Sequence, residues 1–442
     1  MWCAIYLGCL LIAGWAVVTR LGGGRSRAQS VGLIACLGPG VFGLCLIALS
    51  MLGFKPTRAM VIVLTLAFAV AGIAIKRPKA PPPGKNDGGG RAPRWWLGLC
   101  LIALGYSAYV AALDAFVYPT FDWDGFAIWQ LKSKLLATQP LNPRPDYFTD
   151  VSRSFSHLRY PILVPMICAG EHVMSGRLDD ELEKSPLFLL YIGMGAAVYG
   201  AIDRRRGGLA AITATTLLMG TQVMLRAACN GTADVPLAAF YACGLVCLLN
   251  WQEDRRGTDL ALVALCSICM AWTKQEGIYL AVLNAAAVFA IDRRRPRVWI
   301  AFALAVGLAY LPWHVFAHPL PRTDEDYTGH LHVGEILNNL SRLGPVILGY
   351  LGSAFYWDNW CVFWFALFAI ALLERERLRQ PAVALLWILL IAHWLLNITP
   401  FLLVANWNYR ELMWVTQDRL LLHTAPAAAL LIGLQWPRLR RV

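Results

Sequence analysis

Apolar runs follow one another along almost the whole chain, near residues 2–18, 31–53, 59–75, 95–117, 161–176, 185–202, 209–226, 236–250, 259–272, 277–291, 298–316, 360–373, 381–397 and 419–435. A helix needs about 20 apolar residues, at roughly 1.5 Å of rise each, to cross the hydrocarbon core of a bilayer. Only 15% of the 442 residues are charged, against about a quarter in soluble domains. The expected fold is all-α, a polytopic transmembrane helical bundle, and a large soluble domain is excluded.

The chain carries 39 Lys and Arg against 27 Asp and Glu, a formal charge of +12. Such a surplus suits nucleic acid or anionic lipid headgroups, and its placement decides between them. Clusters at Arg20–Arg27, Lys76–Arg94, Arg204–Arg206, Arg255–Arg256, Arg293–Arg297, Arg375–Arg379 and Arg438–Arg441 hold 24 of the 39 cations and lie between apolar runs. That is the positive-inside pattern of a protein embedded in a lipid bilayer, without the aromatic interleaving of a nucleic-acid groove. With every cluster cytoplasmic, Met1 lies outside and Val442 inside, so the number of crossings is odd. The run that fails is 161–176 (PILVPMICAGEHVMSG), because two prolines, Glu171 and His172 are costly at mid-bilayer. It is expected as an extracytoplasmic juxtamembrane segment, which leaves thirteen spans.

The stretch KRPKAPPPGKNDGGGRAPR at 76–94 is too rich in Pro, Gly and charge to fold alone. It reads as a cytoplasmic linker between three leading transmembrane helices (1–75) and a module at 95–442 whose external loop covers 118–184. No internal repeat suggests the inverted halves of many transporters. Most of the 12 cysteines sit in apolar runs as small hydrophobes, and the Cys266-x-x-Cys269 pair lies inside a span with no second ligand pair near it. The first 18 residues lack a basic leader and read as a retained span.

Once sides are assigned, the non-basic polar residues gather outside. The segment 118–160 begins with Asp122 and Asp124 around Trp123; the turn NGTADVP offers Asp234; the turn WTKQEG offers Lys274 and Glu276. The loop from Ala317 to Arg342 holds Arg322, Asp324, Glu325, Asp326, Tyr327, His330 and His332, and a late stretch holds Arg410, Glu411, Asp418, Arg419 and His423. A carboxylate at a membrane surface serves as a general base or holds a divalent cation. The plain alternative is that Asp122 and Asp124 are solvated loop acids, that Asp234 merely starts a helix before Pro236, and that Lys274 snorkels beside Glu276. Phe121, Trp123, Phe126, Ile128 and Trp129 favour an aromatic interfacial helix around the two acids. His157, Arg159, Arg322, Arg410 and Arg419 are rim cations, some of them suited to clamp a lipid phosphate.

Five motifs occur in order along residues 95–435: Trp123-Asp124 leading into GFAIWQLKSKLL; Tyr160-Pro161-Ile162-Leu163-Val164-Pro165; Ala233-Asp234-Val235-Pro236; Thr273-Lys274-Gln275-Glu276-Gly277; and Asp418-Arg419 with His423 and Pro426. In this the chain resembles the polytopic glycosyltransferases of the GT-C class that use a lipid-phosphate sugar, in particular bacterial members related to the protein O-mannosyltransferases and the lipid A aminoarabinose transferase. The resemblance implies that Asp124 is the catalytic base or acceptor-orienting group, with Asp234 and Asp122 beside it. It implies that Lys274, Arg159, Arg419 and His157 face the donor phosphate, and that Trp123, Trp129, Tyr160, Glu276 and His423 line the substrate pocket. The large extracytoplasmic carboxy-terminal domain of some relatives has no counterpart here.

The implied partners are a polyprenyl-phosphate-linked sugar donor and an extracytoplasmic acceptor, which is a glycan, a lipid or a protein. The implied reaction is a single inverting displacement, since no second nucleophilic carboxylate is needed. No cofactor is expected; the alternative is a Mg²⁺ or Mn²⁺ on Asp122, Asp124 and Asp234. The expected location is a bacterial inner (cytoplasmic) membrane with the site facing outward. Rival readings are a transporter or flippase of a lipid-linked or polar substrate, and a ligase using a diphosphate-linked glycan.

Overall fold

The computed structural model describes residues 1–75, 93–322, 333–403 and 409–437. Most of the 76–94 linker, the loop residues Asp324, Glu325, Asp326, Tyr327, His330 and His332, and the Arg438–Arg441 cluster therefore lie outside the described residues. Among those described, the structure is helical with no strand. The helices are α1 (Trp2–Arg20), α2 (Arg27–Met51), α3 (Arg58–Ala74), α4 (Arg94–Phe116), α5 (Leu131–Thr138), α6 (Leu163–Ser175), α7 (Ser185–Arg206), α8 (Gly208–Met219), α9 (Gln222–Ala227) and α10 (Asp234–Asp254). They continue with α11 (Gly257–Thr273), α12 (Gln275–Ile291), α13 (Pro296–Ala317), α14 (Val333–Asn338), α15 (Leu343–Ala354), α16 (Trp357–Trp360), α17 (Phe363–Leu373), α18 (Pro381–Leu403) and α19 (Tyr409–Leu434).

Among the described residues, seven helices are long and apolar enough to cross a membrane: α1, α2, α4, α7 with the turn before it, α10, α13 and α18. Five shorter apolar helices, α3, α8, α11, α12 and α17, accompany them. Their ends follow local chemistry. Ser26 and Thr57 accept from the backbone N–H groups of Gln29 and Met60, both at 3.2 Å, and so cap α2 and α3. α6 stops at Gly176 in a left-handed conformation that glycine adopts at no steric cost.

The core is centred on α10, which packs against α7, α11, α19, α2 and α12 and is buried almost throughout. Against that, α4 and α13 turn most of their residues outward. Helices α1 and α2 cross at backbone contact: a Cβ on Gly14 would stand 2.1 Å from the Ile34 carbonyl oxygen, and one on Gly38 2.1 Å from that of Leu10. Small residues permit the close approach that drives association where the hydrophobic effect is absent. The leading helices are no appendage, for α2 also lies along α7 and α6. From α1, Tyr6 Oη donates to the Ile167 carbonyl of α6 at 2.8 Å.

Ion pairs tie one end of the bundle together. Arg25 pairs with Asp254, and with Asp259 at 2.5 Å, while Arg204 and Arg205 share Glu253. Arg206 reaches the Leu434 carbonyl at 2.7 Å and Gln380 at 2.8 Å. Cations around Arg20–Arg27 and Arg204–Arg206 thus share an end with the far termini of α10 and α19. The carboxylates and cations of the candidate site lie at the opposite end, where α10 begins and α11 passes into α12.

Two local expectations change. The 161–176 segment forms α6, 13 residues long, or about 20 Å against a bilayer core of about 30 Å. It is packed inward, with 11 of its residues buried, Glu171 and His172 among them, a burial that its place beside the membrane did not reveal. His172 Nε2 lies 3.1 Å from Glu183 Oε2, which accounts for the buried histidine, whereas both carboxylate oxygens of Glu171 lack a hydrogen-bond partner among the described residues. The segment GFAIWQLKSKLL is not one regular interfacial helix either. A π-helical turn over Gly125–Gln130 precedes α5 and carries Ala127, Ile128, Trp129 and Gln130 into the interior.

Candidate functional site

Asp234 is the first residue of α10, yet its side chain caps nothing. It is 2% exposed and engages three donors instead. Lys274 Nζ donates to Asp234 Oδ1 at 2.9 Å, and His423 Nε2 lies 2.9 Å from the same oxygen. Arg419 Nε donates to Oδ2 at 2.8 Å, while Arg419 Nη1 reaches Asp124 Oδ2. Because the carboxylate only accepts, the His423 proton belongs on Nε2.

Lys274 is held by the turn between α11 and α12. Gly277 permits that turn, because a Cβ there would fall 1.8 Å from the Met270 carbonyl oxygen. The lysine is 5% exposed and also donates to Glu276 Oε1 at 2.9 Å. Burial opposes its charge, but Asp234 and Glu276 outweigh that and hold its pKa above the ordinary lysine value. A buried charge without partners would neutralise; here each has one of opposite sign.

The network opens onto a cavity of about 290 Å³. Its lining combines polar side chains, Asp124, Lys274, Glu276, Arg419, His157 and Tyr160, with apolar ones, Ile128, Phe401, Leu412, Val415 and Leu420. His157 stacks on Tyr160, ring centroids 4.6 Å apart and planes 17° apart, and Trp129 lies tilted beneath Tyr160 at 5.7 Å. Burial, and after it the neighbouring Lys132 ammonium, lowers the His157 pKa to about 4. His157 is therefore a neutral imidazole at pH 7, not the cation expected of a phosphate clamp.

Three expected site residues lie apart. Asp122 accepts from the Gly125 N–H at 3.1 Å and from Asn230 Nδ2 at 3.2 Å, so it caps the helical turn that carries Asp124. Burial raises its pKa above the usual carboxylate value. Arg159 donates to the carbonyls of Leu320 at 2.8 Å and His318 at 2.6 Å, not to the carboxylate network. Trp123 is exposed and packs on Phe126, centroids 5.1 Å apart. Lys132 was missed: in LKSKLL it looks like a solvated face, but it is fully buried and donates to the His157 carbonyl at 2.8 Å. Burial pushes its pKa down to about 7.

Among the described residues no three His, Cys, Asp or Glu side chains converge as a metal site requires. Asp122 turns to Asn230 while Arg419 stands between Asp124 and Asp234, so these three acids share no vacant centre. No protein-family model, curated protein or solved structure matches the chain.

Proposed function

We propose that the protein is an integral-membrane glycosyltransferase, moving a sugar from a polyprenyl-phosphate carrier to an acceptor outside the cytoplasmic membrane. Arg419, which joins Asp124 to the Asp234–Lys274–His423 cluster at the mouth of a half-apolar cavity, is the observation that carries this reading. A lipid-linked sugar phosphate needs cations for its head beside apolar side chains for its isoprenoid stem, and this one cavity is lined by both. The reading keeps thirteen spans, of which seven have helices of membrane length; α8 and α17, at 12 and 11 residues, would cross only with the segments that flank them. The basic end is then cytoplasmic and the cavity faces outward.

In the reaction the acceptor O–H or N–H attacks the anomeric carbon from the face opposite the phosphate. The new bond forms as the C1–O(phosphate) bond breaks, and polyprenyl phosphate leaves with that electron pair. Asp124 takes the acceptor proton. Lys274 and Arg419 hold the charge that develops on the departing oxygen. Arriving phosphate competes with Asp124 for Arg419, which releases the carboxylate to act as base only when donor is bound. Asp234 keeps Lys274, Arg419 and His423 gathered before the donor arrives. A divalent cation would have to displace these donors from Asp234, so the chemistry is assigned to the side chains. The test is release of polyprenyl phosphate from a short-chain donor, with wild type against Asp124→Asn, and with EDTA as a second arm that leaves the rate unchanged.

A further inference from the structure

Two more cavities, of about 630 and about 500 Å³, draw lining residues from the segments that carry Asp124 and Arg419. Asp122 borders the first and Asp418 the second, each next or next but one in sequence to a residue of the donor cavity. Asp418 and Arg419 point about 100° apart as successive helical residues, and Asp122 turns back to the Gly125 N–H while Asp124 reaches Arg419, so each of these two segments lines two cavities. Arg226, at the end of α9, lines both outer cavities and makes no hydrogen bond or ion pair with any described residue. The acids around it hold other hydrogen-bond partners: Asp114 has Lys184 Nζ at 2.7 Å, Asp122 has Gly125 and Asn230, and Asp418, which also feels the Arg226 charge, has Ser353 and Asn359 Nδ2 at 2.6 Å. Phe121 on one rim is 77% exposed and Trp414 on the other 82%, leaving open ring faces of the kind that pack against a sugar.

We propose that this outer cleft is the acceptor site, and that Arg226 selects an anionic acceptor, a saccharide bearing a phosphate or carboxylate. The guanidinium fork matches either group bidentately, and carboxylates such as Asp122 and Asp418 keep lone pairs for hydroxyls. The role as acceptor rests on the transferase reading; binding of the anionic saccharide does not.

Binding is read by native mass spectrometry on protein in nanodiscs, with glucose 6-phosphate, glucose and inorganic phosphate as probes. Glucose 6-phosphate is expected to bind at least about tenfold more tightly than either of the others, and Arg226→Ala to erase that advantage. Trp414→Ala is expected to weaken glucose 6-phosphate but not phosphate. Arg226→Ala without effect, or phosphate binding as tightly as the sugar phosphate, overturns the proposal. So does loss of binding on changing phosphatidylcholine nanodiscs to phosphatidylglycerol, which would make the cleft a lipid-headgroup site. A short-chain polyprenyl phosphate is added separately: if it fails to bind while Arg226-dependent binding persists, the donor reading fails and the anionic-saccharide site remains.

Discussion

Arg419 bridges Asp124 and Asp234, its Nε 2.8 Å from Asp234 Oδ2 and its Nη1 on Asp124. One guanidinium thus joins an acid of the 118–160 segment to an acid at the start of α10. The two acids differ: Asp234 is 2% exposed with three donors, whereas the Asp124 side chain is 26% exposed and borders the cavity. In the proposed reaction that asymmetry suits the first to anchoring and the second to proton transfer.

Asp234→Asn removes the charge that gathers three donors. Breaking a buried pair costs about 3–5 kcal/mol, so the variant is expected to unfold well below wild type. Pairing Asp234→Asn with Lys274→Met should recover stability beyond the sum of the single changes. Simple additivity in a thermal-melt cycle would deny that the two residues are coupled.

Asp122 and Asp124 separate by role. Replacing Asp122 with Ala loses a helix cap, about 1 kcal/mol of stability, and lowers transfer less than about tenfold. Asp122→Ser keeps a capping oxygen and should melt like wild type. A loss of transfer in Asp122→Ala as deep as in Asp124→Asn would contradict this division.

Lys132 makes stability depend on pH. Its pKa is about 7 when folded against 10.5 for an ordinary lysine. Between these values the unfolded chain binds a proton that the folded one does not, so stability rises with pH from about 7 toward 10. Below pH 7 the lysine is charged in both states and its burial cost is fully present. Melting midpoints measured from pH 6.5 to 9 should climb in wild type and stay flatter in Lys132→Met; parallel curves would place the titration elsewhere.

Topology is tested at residue 178. Leu178 is exposed just past α6, whereas His172 within it is buried. In a Cys361→Ser background, which removes the exposed native thiol, Leu178→Cys should react with an impermeant reagent added outside intact cells. Labelling only from the cytoplasmic side would invert the assigned orientation.

The helices were legible because a bilayer imposes one strong rule, apolar runs of a given length, and the fourteen runs each became helical. The convergence of Asp124, Asp234, Lys274, Arg419 and His423 followed from placing charged residues at one set of span ends. What stayed hidden depended on side-chain direction. Asp122 and Asp124 look alike in sequence, but a helical turn sends one to its own backbone and the other to Arg419. Arg159 next to Tyr160-Pro161 resembles a phosphate ligand until the fold offers it the carbonyls of His318 and Leu320. Lys132 gave no signal, since its burial depends on the 118–160 segment folding back over α5.

The most direct measurement is polyprenyl phosphate release by the purified protein in lipid nanodiscs, supplied with a short-chain polyprenyl-phosphate sugar and a mixture of acceptors. If Asp124 is the base, turnover falls about 10²–10⁴-fold in Asp124→Asn while its melting profile stays close to wild type. Undiminished release by Asp124→Asn, or none from wild type with any monophosphate donor, would contradict the proposed reaction.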